Sequence, residues 1–410
     1  MKIKKINKKD IDSHEYLDKF KKVEKFSLLS NKKQNRKDKK ISRSSSPSDK
    51  SQEETDSFIK TIGPEDIVNP YFYAKVVEVH KQYAFVSSQD LDGRINFNDI
   101  YIVTTAKKNL ISQRSDRNFI CVGDNVLCRL ETTNLKASGY DLPQATVVHL
   151  NPRTNSFTRQ DPFLSSRIHT LASNIDNIIV VSSFLAPTIR WRLIDRYLVM
   201  AEYNGMPCTI VLNKKDLLNE SKKEDPSFYT DSMEKVEYYR SIGYRVLLLE
   251  ATASSRKLSH DDDFKQLKDI LKDKISLLSG HSGVGKSSLV NLFHPELLQA
   301  VEPNNDIFYK GRHTTTFTSF IKIDQGYLID TPGIRSFNIP TIDSITLSAC
   351  FPDIHPYSLK CSYRECGHDS EPGCMVKKMV QEGIIPQWRY QSFLSILNPS
   401  SREGRAGLKE

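Results

Sequence analysis

The sequence predicts a multidomain chain: an all-β barrel of the oligonucleotide-binding (OB) type, an α/β phosphate-loop (P-loop) domain, and a small α-helical zinc-binding domain. Three observations carry this expectation. Five short β-rich runs lie between Tyr71 and Arg153, apolar strands alternate with helical stretches from about residue 154, and three cysteines with one histidine crowd into the segment from Cys361 to Cys374. At 410 residues each part is long enough to bury its own core. The expected divisions are a basic disordered arm (1–69), the barrel (70–153), the α/β domain (154–338), the zinc-binding helical domain (339–398) and a flexible tail (399–410).

Charge is unevenly distributed. The chain carries a net charge of +9, yet residues 1–50 alone hold 17 Lys and Arg against 7 Asp and Glu. The run "NKKQNRKDKKISRSSSPSDKSQEE" is polar and low in complexity, so the arm is expected to stay disordered when unbound. It reads as a solubilising tail or as an electrostatic tether to nucleic acid, since Lys-rich blocks displace counterions from phosphate backbones. Asp10, Asp12, Glu15 and Asp18 argue against an organellar transit peptide. No apolar run approaches the roughly 18 residues a membrane helix needs, and no secretory apolar stretch opens the chain. A cytoplasmic monomer without a membrane partner is expected.

The barrel strands read "YFYAKVVEVH", "YAFVSS", "RINFNDIYIV", "NVLCRLET" and "PQATVVHL". Tyr71, Tyr73, Phe85 and Phe97 are either core or base-stacking platforms. A linker containing "RTNSFTRQDPFLSSR" follows. Beyond it, "NIIVVSSF", "CTIVLN", "RVLLLE", "ISLLSG", "FTSFIKI" and "GYLIDT" read as strands of a mostly parallel sheet, with helices such as "RWRLIDRYLVMAEYNG" and "DDFKQLKDILKD" between them.

Chemistry enters with "GHSGVGKSS" after the strand "KISLL". Gly280, Gly283 and Gly285 let backbone amides of Ser282, Val284 and their neighbours turn toward phosphates, Lys286 neutralises β and γ oxygens, Ser287 ligates Mg2+, and Ser288 beside it is a further nucleotide-binding candidate. "DTPG" places Asp330 where its carboxylate can hold magnesium through water, and Gly333 where its amide can sense a γ-phosphate. In "NKKD", Asn213, Lys214 and Asp216 stand at the carboxyl edge of a strand. The Asp216 carboxylate can accept from both N1–H and the 2-amino group of guanine, donors that adenine lacks there. The base motif precedes the phosphate loop, the reverse of the usual order. Joining the original ends near "FKQLKDILKD" and reopening the chain after the magnesium-binding strand restores every strand to its place.

In this order the chain resembles the circularly permuted GTPases of ribosome biogenesis, and most closely the bacterial ribosome small subunit-dependent GTPase A family. The likeness spans roughly residues 70–397 and rests on "ASNIDNIIVV", "LIDRYL", "IVLNKKDL", "GHSGVGKSSLVN", "GRHTTT", "LIDTPGIRSF" and "CSYRECGHDSEPGC". It implies GTP and GDP as ligands and the small ribosomal subunit with its rRNA as partner. "LEATAS" departs from the usual guanine O6 loop, leaving Ala251 or Ala253 as its amide donor.

Ile334 occupies the position where many GTPases carry a water-orienting glutamine. "GRHTTT" supplies Thr315 (or Thr314) as a magnesium ligand and His313 as a group to orient or deprotonate water, and the resemblance supports the same role for His313. Slow intrinsic hydrolysis accelerated by the subunit is therefore expected. Cys361, Cys366, His368 and Cys374 form a complete tetrahedral donor set for one structural Zn2+, with Cys350 as a substitute ligand. Lys377, Lys378 and Arg389 are candidate rRNA phosphate contacts. The chain is thus expected to be a GTP hydrolase that serves small-subunit maturation. A permuted GTPase of large-subunit assembly and a nucleotide-gated RNA-binding protein with little hydrolysis are the rivals.

Overall fold

The computed structural model describes residues 71–80, 83–90, 93–104, 120–131, 142–160, 168–251, 261–293, 318–331, 339 and 341–399. They fall into two compact units. One holds the barrel up to Thr154; the other takes Cys121–Gly123 and everything from Asn155 onward.

In the first unit, β1 (Tyr71–Val79), β2 (Tyr83–Gln89), β3 (Ile95–Thr104), β4 (Asn125–Leu130) and β5 (Gln144–Leu150) pair in the order β1-β2-β3-β5-β4. β4 returns to β1, with Ala74 opposite Val126, so the sheet closes and no edge is left. Alternation fills the interior with small and β-branched residues, among them Ala74, Val76, Ala84, Val86, Val103 and Val147. Phe85 is buried in this unit, whereas Tyr71, Tyr73 and Phe97 are half-buried. Asp124, which has no exposure, holds Arg153 through two hydrogen bonds of 2.6 and 2.8 Å and so anchors the segment that follows β5.

The second unit opens with a correction to the linker. Ser156–Gln160 (β6) and Ile168–Ser173 (β7) form an antiparallel ladder, and Phe157 is fully buried, stacked on Tyr197 at 6.4 Å. The polar composition of the segment hides one inward-facing residue whose partner is distant in sequence. The main sheet adds β8 (Asn177–Ser183), β9 (Cys208–Asn213), β10 (Arg245–Leu248), β11 (Ile275–Gly280), β12 (Ser319–Ile323) and β13 (Gly326–Asp330). Within this unit the strands run β10-β9-β8-β11-β13-β12, all parallel except β12. β8, "NIIVVSS", is buried along its whole length, as a central parallel strand covered on both faces must be.

Helices α1 (Trp191–Tyr203), α2 (Lys215–Glu224), α3 (Pro226–Ser241), α4 (Asp262–Leu271) and α5 (Lys286–Leu292) cover or extend this sheet. Asp225 caps α3 by accepting from the Phe228 amide at 3.0 Å, with Pro226 at the first position. Only residues 272–274 separate α4 from β11, a connection short enough to be the joint of a rotated chain. The C-terminal module carries α6 (Ser344–Ala349), α7 (His355–Ser358), α8 (Met375–Gln381) and α9 (Gln387–Leu397) around its own core of Leu347, Phe351, Ile354, Val376 and Phe393. None of the described helices is long and apolar enough to cross a membrane.

Candidate functional site: a phosphate loop joined to a base-reading strand

Counted from the phosphate-loop strand β11, with the count stepping from β13 back to β8, the sheet reads second, third, first, fourth, fifth, sixth, and the 272–274 joint links the sixth strand's helix to the first strand. Five parallel strands therefore end on one edge, and the candidate residues follow those ends. β11 delivers Gly280, Ser282, Gly283, Val284 and Gly285 into the turn before Lys286, Ser287 and Ser288. Gly285 has φ 94°, and a Cβ there would stand 2.1 Å from Asn213 Nδ2; one on Gly280 would stand 2.1 Å from the Val181 carbonyl oxygen. These positions admit only glycine.

Asn213 ties the two motifs together. Its Nδ2 donates to the Val284 carbonyl at 3.1 Å, and its Oδ1 accepts from the Ala251 amide at 2.8 Å. Buried to 1% exposure, it satisfies both ends of its amide by holding the phosphate loop and the post-β10 segment at fixed separation. Lys214, in the left-handed region at φ 60°, donates from Nζ to the carbonyls of Gly283 (2.9 Å) and Ala186. Asp216 has a buried Oδ1 that finds no hydrogen-bond partner among the described residues. A buried acceptor in that state fits a ligand that brings a donor to it.

Lys286 Nζ donates to the carbonyls of Gly280 (2.9 Å) and His281 (3.0 Å). Burial lowers its pKa while the Asp330 carboxylate opposes the shift. Asp330 ends β13, in register with Leu278 of β11, and is buried. Thr331 follows, its Oγ1 3.1 Å from the Leu278 carbonyl and 3.2 Å from Ser279 Oγ. Sequence reading gave no role to Thr331, although it stands within "DTPG", nor to Ser279 and the Ala186 turn, because their hydrogen bonds join segments far apart in the chain. His313, Thr314, Thr315, Gly333, Ile334 and Ala253 lie outside the described residues.

The second cluster is in the C-terminal module. The donor atoms of Cys361, Cys366, His368 and Cys374 all lie within 4.8 Å of one another. Cys361 Sγ and Cys374 Sγ are 3.9 Å apart, and each is 3.5 and 3.4 Å from His368 Nδ1. Tetrahedral zinc with bonds of ~2.3 Å to sulfur has sulfur–sulfur edges of ~3.8 Å, so the donor set fits that ion. Ser348 donates its hydroxyl to the Ser344 carbonyl (2.7 Å) and must therefore accept from His368 Nε2–H at 3.0 Å. That fixes the tautomer and leaves the Nδ1 lone pair toward the thiols. Burial pushes the Cys366 thiol up to about 12, so loading by a cation must expel its proton. Cys350 stands apart from this cluster in the module core, where burial raises its thiol to about 11.

Arg389 does not face a polyanion. It is 1% exposed, bonded through Nε and Nη2 to Asp353 at 3.0 and 3.1 Å and through Nη1 to Asp195 of α1. Burial works against the guanidinium charge, but Asp195 and Asp353 outweigh it and hold the pKa above the usual range. Lys378 is exposed and Lys377 half-buried.

A rotated sheet whose loop edge joins a phosphate cradle to a guanine-reading motif defines a circularly permuted P-loop GTPase. The RsgA GTPase family model matches residues 150–340, and a small ribosomal subunit biogenesis GTPase RsgA from Chlorobaculum tepidum is 34% identical over 294 residues, covering 70% of this chain and 88% of that protein. The chain belongs to the RsgA GTPase family. In fold it is similar to YloQ, described as a circularly permuted GTPase (TM-score 0.55, 24% identity, 80% of this chain and 95% of that one). It is also similar to YjeQ from Thermotoga maritima (TM-score 0.54, 26% identity, 80% and 97%).

Proposed function

We propose that the chain is a GTP hydrolase acting as a late assembly factor of the small (30S) ribosomal subunit, its hydrolysis stimulated by the subunit and coupled to release. The contact of Asn213 with Val284, 71 residues later, carries the nucleotide half of this reading, because it brings base motif and phosphate loop to one edge. The subunit half rests on the description of its relatives as small-subunit biogenesis GTPases.

In this reading Asp216 accepts from guanine, Lys214 covers the base, and Lys286 turns from its carbonyls to the phosphates. Ser287, Thr315 and Asp330 hold Mg2+, which supplies charge neutralisation at the β and γ oxygens. The Gly333 amide senses the γ-phosphate, and His313 orients the attacking water. With the Ala251 amide engaged by Asn213, the amide of Ala253 is left for guanine O6. The Cys3His cluster holds one structural zinc, Lys377 and Lys378 offer contacts to rRNA, and the protein works as a cytoplasmic monomer. Domain divisions at residues 69, 153, 338 and 398 belong to the same reading.

GTP turnover measured alone and with purified small or large subunits tests it. Small subunits should raise the rate by about tenfold or more, and His313→Ala should remove about 100-fold of stimulated turnover while nucleotide affinity stays within a small factor. Equal rates with and without small subunits overturn the partner; failure to bind GTP overturns the nucleotide site.

A further inference from the structure

Helix α1 has eight consecutive buried residues, Ile194 to Ala201. No single apolar stripe accounts for that, so the helix is covered on opposite faces. One face meets the sheet. Tyr197, with no exposure, accepts from Ser279 Oγ at 3.0 Å, and Ser279 in turn lies 3.2 Å from Thr331 Oγ1. Ile194 and Tyr197 also line a small cavity with Gly280, His281 and Val284 of the phosphate loop.

The other face meets the C-terminal module. Asp195 holds Arg389 of α9 and accepts from Tyr239 at 2.5 Å, while Arg389 is bonded to Asp353 and Tyr238 donates to Asp353 at 2.9 Å. Val199, one turn beyond Asp195, belongs to the hydrophobic cluster of Leu347, Phe351 and Phe393. Residues two apart on a helix point about 200° from each other, which is how Asp195 and Tyr197 address different partners from within one turn. The hydroxyl chain ends at Thr331, two residues before the glycine of "DTPG".

We propose that α1 transmits the state of the phosphate site to the zinc-binding module, with Tyr197 as the positioning residue at the nucleotide end and Asp195 at the module end. This rests on the nucleotide reading above. The contacts are directional and buried at both ends, and close-packed interiors pass displacements on without absorbing them. A shift of the Thr331 turn therefore reaches Arg389 through one rigid element. Trp191 on α1 and Trp388 on α9 flank Lys235 at 5.8 and 5.7 Å, so the seam has its own optical reporters.

The test uses the full chain carrying Trp191→Phe, which leaves Trp388 as its remaining tryptophan. Trp388 emission is recorded with GDP and with a non-hydrolysable GTP analogue, and affinity for each is measured by calorimetry. The two nucleotides should give different emission. Tyr197→Phe, which removes one hydroxyl and keeps the ring, should erase that difference and lower the analogue-to-GDP affinity ratio about fivefold. A purely structural Tyr197 would weaken both nucleotides alike and leave the ratio unchanged. Binding without any difference in emission, or a difference that survives Tyr197→Phe, overturns the transmission; no binding overturns the nucleotide reading and this inference with it. If Trp191→Phe fails to fold, hydrogen exchange of the α9 amides, with and without Tyr197→Phe on the natural background, makes the same decision.

Discussion

A single methyl group measures how tightly the two motifs are locked. At Gly285 it would meet Asn213 Nδ2 at 2.1 Å and sit on backbone with φ 94°. Gly285→Ala is expected to cost ~1–3 kcal/mol of stability, by denaturant titration, and to weaken nucleotide binding by about tenfold or more. Retained affinity would mean that the loop and Asn213 are not coupled. The phosphate-loop pattern and the Cys3His set that could hold a metal ion stand out in the sequence because each needs a residue type at a fixed short spacing. The reach of Asn213 to Val284 was not, since neighbours 71 positions apart leave no local trace. Arg389 was misread for the same reason. A cation on an amphipathic terminal helix looks solvent-facing until Asp195, 194 residues earlier, and Asp353 are seen to close on it.

Among elements, α9 docks on α1 through a charge it cannot afford to lose. Arg389→Ala leaves Asp195 and Asp353 buried without their cation, and breaking such a pair costs ~3–5 kcal/mol. The expected outcome is a lower thermal midpoint with the C-terminal module loosening first, seen as a rise in exchange over α8 and α9; a change under about 1 kcal/mol would contradict the ionic bracket. Periodicity had announced α1, α4 and the apolar strands within a residue or two, because each satisfies a strong local pattern. It missed β6 and β7, whose inward residues Phe157 and Ala172 are too few to register against a polar background. It also gave no hint that α1 is covered twice, since burial of Asp195 depends on a module encoded some 190 residues later.

At the scale of the molecule, the positive charge is concentrated in residues 1–50, which hold 17 Lys and Arg against 7 Asp and Glu. Removing residues 1–69 should weaken association with small subunits and flatten the salt dependence of binding, since fewer phosphate counterions are released; an unchanged slope of affinity against salt would assign the arm to solubility alone. The permuted order preserves the site but alters how the sheet comes into being. β8 pairs with β11 through Asn177 and Ser276, 99 positions apart. At ~5–20 residues per second, a growing polypeptide holds the greasy flank of β8 bare for roughly 5–20 s before its neighbour is synthesised. The rotation that leaves the finished sheet intact thus obliges one edge of β8 to wait, unpaired, while 99 further residues are made, and an unpaired apolar edge is where association between newborn copies is expected to begin.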